Sequence, residues 1–207
     1  GLLTTGRTLH SGEVVGLAPR TVGHVHRAIH RMLGFAVQWG VIEVNPASKA
    51  SPPKVEPTEI EILTNEQASA VLRKLCGRVL YPIAAIALAS GMRRGEIVAL
   101  RWGVVDFQKG TVRVEIALEE TKAGGVRVKA PKTKHSKRNI SLPDWMLDIL
   151  RDKRRQHQER NLALGLGKLT GEEWVFGKED GDVRTPESGT KDWRATVRAK
   201  GLADVTF

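Results

Sequence analysis

Four prolines between positions 46 and 57 (Pro46, Pro52, Pro53 and Pro57) constrain this chain more than any other feature. Proline has a fixed φ and no amide hydrogen to donate, so neither a helix interior nor a central strand can run through that stretch. The surrounding residues, Ala47 to Glu61, are rich in serine and acid. That composition describes an extended linker between domains. The chain of 207 residues is long enough for one substantial domain and a smaller neighbour. Residues 1–45 are therefore expected to form one unit, 46–62 the linker, and 63–207 the main domain.

Residues 1–14 show no clear period. From Pro19, the residues Val22, Val25, Ile29, Met32, Leu33, Ala36 and Val37 recur on one stripe. They predict a helix that begins at a first-turn proline and stops near Gly40. The main domain opens on Thr64-Asn65-Glu66-Gln67, where Thr64 can cap a helix and Gln67 can reach back to it. That helix runs to about Cys76, whose apolar flanks suggest a buried packing residue. Val79 to Ser90 reads as a wholly buried helix and Arg93 to Trp102 as the next. Thr111 to Leu118 alternates apolar and polar residues as a half-buried strand does, and Val126 to Ala130 and Arg138 to Leu142 read as shorter strands. The three are expected to form a meander. Asp144 to about Leu164 reads as a long charged helix with Trp145, Ile149 and Leu150 facing inward. Trp174-Val175-Phe176 is a brief apolar insertion, and Pro186 to Lys200 a last helix. This order fits neither a parallel α/β sheet nor a sandwich. The expected fold class is α+β, mainly α, with a small three-stranded antiparallel sheet.

The net charge of +10 is unevenly spread. Residues 1–62 hold 6 basic and 5 acidic groups, whereas residues 63–207 hold 27 and 18. Between Lys122 and Arg138 there are seven basic residues and no acid. Such a block suits a polyanion, because each neutralised phosphate releases condensed counterions. It equally describes a solvated basic surface, so charge alone does not decide the matter. The single cysteine excludes an internal disulfide framework and suits a reducing cytoplasm. The longest uncharged apolar run, Val79 to Met92, is too short to span a bilayer, and the start carries no signal-peptide pattern.

The segment Ala89-Ser90-Gly91-Met92-Arg93-Arg94-Gly95-Glu96 places glycine at the end of a buried helix and two arginines where the next begins. A helix N-terminus carries unpaired N–H groups and partial positive charge, so an arginine there can help grip an anionic oxygen. Glu96, three residues after Arg93, can hold the guanidinium in one orientation. The same pattern also describes an ordinary surface ion pair.

The stretch from Ile86 to Asp106 resembles the first signature box of the tyrosine recombinase (phage integrase) family, with its catalytic arginine, a small residue and an acid ahead of Leu100-Arg101-Trp102. Pro131-Lys132-Thr133-Lys134-His135-Ser136-Lys137-Arg138 through Pro143 resembles the hairpin that carries the family's catalytic lysine. The Pro19 helix, with Trp39-Gly40 and Asn45-Pro46, is similar to the end of the core-binding domain. Glu173-Trp174-Val175-Phe176, Trp193 and Gly201-Leu202 resemble the segment before the second box. The resemblance implies a DNA breaking-and-rejoining fold and a site-specific recombinase acting in the cytoplasm of a bacterium, whether host- or phage-encoded. Arg93 would bind the scissile phosphate and Lys132 would protonate the 5′-oxygen that leaves, though Lys132 also fits a plain phosphate contact. Glu96 would support Arg93. Arg20, Thr21, His24, Arg94, Thr133, Lys134, Ser136, Lys137 and Arg138 would touch the DNA backbone. A 3′-phosphotyrosyl intermediate keeps the bond energy, so neither a metal nor any other cofactor is implied. The implied partners are duplex DNA and further copies of the protein, as a tetramer on DNA.

The family's His-x-x-Arg box should begin directly after Phe207, with the nucleophilic tyrosine later still. The one tyrosine, Tyr81, lies in an apolar helix and reads as core. This chain alone is therefore expected to be a DNA-binding monomer that does not cut. A non-catalytic DNA- or RNA-binding module on the same scaffold is the other reading. His24, His26 and His30 lack the companion ligands of a zinc site and are expected to face solvent or DNA. Gly165-Leu166-Gly167-Lys168 departs from a phosphate loop at Leu162 and Leu169.

Overall fold

The computed structural model describes residues 7–8, 12, 14–56, 62–121, 124–129 and 137–199. The chain divides into two compact units, Gly1–Ile62 and Leu63–Phe207.

In the first unit, strands β1 (Arg7–Thr8) and β2 (Val14–Val15) pair antiparallel ahead of helix α1 (Pro19–Gln38). Helix α1 starts on its first-turn proline, and Gly40 follows its end with φ 71°, a left-handed value that glycine adopts without strain. Pro46–Lys49, read above as extended linker, closes into a 3-10 turn capped by the Asn45 side chain. The histidines of α1 explain why. His26 Nε2 lies 3.2 Å from the Ala47 carbonyl oxygen and 2.7 Å from that of Ala50, and His30 Nε2 lies 3.2 Å from Ser48 Oγ. His26 is half-buried against the turn, whereas His30 is exposed, as expected, and still reaches the turn through Ser48. His24 is exposed, its Nδ1 accepting from Arg27 at 3.2 Å.

The second unit opens on α2 (Asn65–Leu75), with the reciprocal Thr64–Gln67 capping box in place. Cys76 is exposed, not buried, because the chain turns out of the helix there and Leu75 takes the core position. Helix α3 (Tyr81–Ser90) supplies Ile83, Ala84, Ala85 and Ile86 to the core and ends at Gly91, φ 61°. Tyr81 packs partly buried against the Val71, Leu75 and Trp193 cluster. Helix α4 is only Arg94–Val98, and the chain then makes a 3-10 turn at Trp102–Val104. Its early end has a tertiary cause. The amides of Trp102, Gly103 and Val175 bond to the carbonyls of Glu173, Gly171 and Leu100 at 3.1, 2.7 and 2.8 Å, pinning residues 171–175 beside the turn. The Arg101 guanidinium lies 4.6 Å from the Trp174 ring and bonds Glu172, while Trp102, Val175 and Phe176 sink into the core.

The strands pair differently from a simple meander. The expected strand 111–118 breaks at Glu115–Ile116 into β4 (Thr111–Val114) and β5 (Ala117–Thr121). One half joins a three-stranded antiparallel sheet in the order β3 (Val105–Asp106), β4, β7 (Arg138–Ser141). The other half forms a separate hairpin with β6 (Gly125–Lys129). Helix α5 (Asp144–Ala163) buries Met146, Leu147 and Leu150, leaving Trp145 45% exposed instead of inward. Helix α6 (Pro186–Ala199) closes the described part. No described helix is long and apolar enough to cross a membrane.

One polar contact in this core has a pH signature. Trp102 Nε1 donates to His157 Nδ1 at 3.0 Å, so that nitrogen must be unprotonated. Burial pushes the His157 pKa down, helped by Arg160 and Lys153. A folded pKa below the unfolded value of about 6.5 means that the unfolded chain takes the proton more readily. The stability tied to His157 is thus complete above that pH and declines as pH falls through the folded value. The urea midpoint is expected to drop between about pH 7.5 and about pH 5.5. His157→Phe should remove most of that drop, and an undiminished drop would assign it to another group.

Candidate functional site

Strand register determines what meets the start of α4. In the β4–β7 ladder, Val112 lies opposite Ile140 and Val114 opposite Arg138. Side chains alternate along a strand, so Arg138 shares the inward face with Ile140 and the buried Val112 and Val114. There it reaches Glu96, a carboxylate with only 8% of its side chain exposed. Arg138 Nη1 and Nη2 donate to Glu96 Oε1 and Oε2 at 3.0 and 2.8 Å, a two-pronged pair.

Arg93 is the residue just before the first turn of α4 and is held by the same carboxylate. Its amide donates to Glu96 Oε2 at 2.8 Å and its Nη1 to Oε1 at 3.2 Å. Each oxygen of Glu96 thus accepts two bonds. Burial by itself pushes the Glu96 pKa up, but the bonds from Arg138 and Arg93 bring it below the ordinary carboxylate value. Its carboxylate in turn holds Arg138 toward the charged form. The Arg93 side chain remains 79% exposed. Arg93–Glu96 is therefore not the ordinary surface ion pair that its spacing allows, because one partner is buried and shared.

Arg93 opens onto a cleft of about 800 Å³, whose walls also carry Arg94, Lys129, Lys191 and Arg194. Arg94 bonds Thr190 Oγ1, tying α4 to α6. Lys129 pairs with Glu119 at 2.8 Å and Lys191 with Glu187 at 3.0 Å, while Arg194 is exposed. Gly95 lets α4 seat against the hairpin, since a Cβ there would lie 2.5 Å from the Leu118 carbonyl oxygen. The exposed Arg93 guanidinium can receive an anion there.

Among the other residues singled out by sequence, Lys137 is exposed next to Arg138. Lys132, Thr133, Lys134 and Ser136 lie outside the described residues. Arg20 and Thr21 are exposed in the first turn of α1, in the other unit. Arg138, expected to contact the DNA backbone, has both Nη1 and Nη2 engaged by Glu96. The signal for this was present, because Ile140 and Leu142 set the inward phase of β7 and Arg138 shares it. Lys191 and Arg194 carry no motif and come to the cleft only through the packing of α6.

A sequence profile described as the phage integrase family matches residues 59–207. An integrase of Saccharopolyspora erythraea is 28% identical, over 91% of this chain and 55% of its own length. A XerC-like tyrosine recombinase of Caldanaerobacter subterraneus subsp. tengcongensis is 25% identical, over 90% of this chain and 52% of its own. The chain thus spans about half the length of these curated relatives. Among solved structures, the Tn1549 transposon integrase in complex with transposon right end DNA superposes with a TM-score of 0.73 at 19% identity, covering 92% of this chain and 61% of that one.

Proposed function

Because the chain belongs to the phage integrase family, we propose that it supplies the phosphate-gripping half of a site-specific recombinase that cuts and rejoins duplex DNA. The observation that carries this reading is the Arg93 guanidinium, tethered to a buried carboxylate yet open to a cleft with further cations. In-line attack on a phosphodiester spreads negative charge over the non-bridging oxygens. A planar donor fixed beforehand stabilises that charge without reorganising at the moment of reaction. Lys132 has the chemistry to protonate the departing 5′-oxygen. The attacking tyrosine, which would hold the 3′-phosphate covalently, belongs to the same proposal, as do tetrameric assembly on DNA and action in a bacterial cytoplasm. Arg194 and Lys137 would contact the DNA backbone, setting register without reading bases.

The test is a salt titration of duplex binding by the 207-residue chain. Each backbone phosphate neutralised steepens the dependence of log affinity on log salt by about 0.9. Arg93→Ala combined with Arg194→Ala is expected to reduce the slope by about 2 on any duplex sequence. An unchanged slope would remove the cleft from the DNA face. Tighter binding of single-stranded RNA than of duplex would favour a non-catalytic RNA-binding module instead.

A further inference from the structure

Glu96 accepts two bonds at each carboxylate oxygen, and three of these four bonds come from guanidinium nitrogens. The two arginines do not share it equally. Arg138 takes both oxygens with its fork, whereas Arg93 reaches only one oxygen with one guanidinium nitrogen. Exposure follows the same order, at 33% for Arg138 and 79% for Arg93. A guanidinium facing a carboxylate across a partly desolvated gap favours the two-pronged geometry. Arg138 already engages both oxygens with its fork, and Arg93 makes a single guanidinium contact beside it.

We infer that Arg138 is a positioning residue that keeps the Arg93 guanidinium turned outward by occupying the carboxylate Arg93 would otherwise grip. Charge acts in the same direction. With Arg138 present, the three-residue cluster is net positive; without it, Glu96 and Arg93 cancel, and the field at the cleft mouth weakens. Arg138 thus does its work 42 residues from Glu96 in sequence, through a shared partner rather than by touching the ligand. That Arg93 then holds a DNA phosphate rests on the function proposed above; that Arg138 sets its orientation does not.

The experiment therefore has an arm free of DNA. Phenylglyoxal labels accessible guanidinium groups, and the rate at Arg93 can be followed by mass spectrometry of its peptide. In R138A, Arg93 folds onto Glu96 and its labelling is expected to slow roughly tenfold, the scale of one added charge-assisted hydrogen bond. In E96Q/R138A the carboxylate is gone, and labelling should return to the wild-type rate or exceed it. R138K keeps the charge but cannot present a planar fork, so it should fall between wild type and R138A. Circular dichroism checks that each variant folds; should R138A not fold, R138K and the charge-neutral E96Q/R138A carry the comparison.

Unchanged Arg93 labelling in R138A, or in R138K where that variant stands in, overturns the inference. Duplex affinity measured on the same proteins forms the second arm and should follow the labelling, with loss in R138A and recovery in E96Q/R138A. Slowed and rescued labelling in a protein that binds no duplex leaves the positioning role standing and removes the DNA reading. Equal loss of affinity in R138A and E96Q/R138A, with labelling unmoved, makes Arg138 a phosphate contact and ends the proposal.

Discussion

Changing Arg93 to lysine is expected to lower strand cleavage by about 10²–10³-fold while leaving duplex affinity nearly intact, in a protein that joins this chain to its nucleophile. The separation of the two effects follows from the geometry. Lysine keeps the positive charge, so the long-range attraction to phosphate survives. What it lacks is a second planar edge. The Arg93 side chain uses Nη1 for Glu96 and keeps its other donors for the cleft. An ammonium drawn to Glu96 has no rigid fork left to match two phosphate oxygens. A lost transition-state contact lowers turnover without weakening ground-state binding, which is the pattern to look for in single-turnover cleavage beside a binding isotherm. Near-normal cleavage would mean that Arg93 does not contact the reacting phosphate.

The largest expected effect on stability is that of Trp102→Ala. This side chain is 3% exposed in the same cluster as Leu100, Phe176 and Met146. Removing a buried large aromatic costs roughly 3–5 kcal/mol, from lost transfer free energy and the cavity left behind. The indole N–H to His157 is lost as well. For a domain of this size the midpoint of thermal unfolding should fall by roughly 10 °C. Trp102→Phe keeps most of the volume and forfeits only the hydrogen bond, so it should lose about 1 kcal/mol. Thermal melts of both variants separate packing from the polar contact. Equal losses would show that the hydrogen bond, and not the ring's bulk, dominates.

Local chemistry was legible in the sequence and long-range pairing was not. The Thr64–Gln67 cap and the Arg93–Glu96 contact each span three residues, so composition and spacing sufficed to read them. Helical phase was legible only to within one position, and Trp145 was set inward where Met146 is. Alternation gives the face of a strand residue but not its neighbour. Hence β4, β6 and β7 were read as strands while the partition of β4 with β7 and of β5 with β6 was not foreseen. The short α4 was missed for a related reason, since residues 171–175 end it from some seventy positions away. At the site, Glu96 was identified by its distance from Arg93, but its second arginine required the fold.

The saturation of Glu96 has a consequence for proton chemistry. A carboxylate whose lone pairs are all taken, and whose titration is displaced downward, has no room for a hydrogen ion near neutrality. It can serve as neither general base nor acid despite standing beside the Arg93 guanidinium, and its share of stability is complete above the unfolded glutamate value of about 4.3 and declines as pH falls through the lower folded one. Any acidic limb in a rate profile between about pH 5 and 8 must then be traced to a different titrating group, with Glu96 acting as a fixed electrical hinge pin.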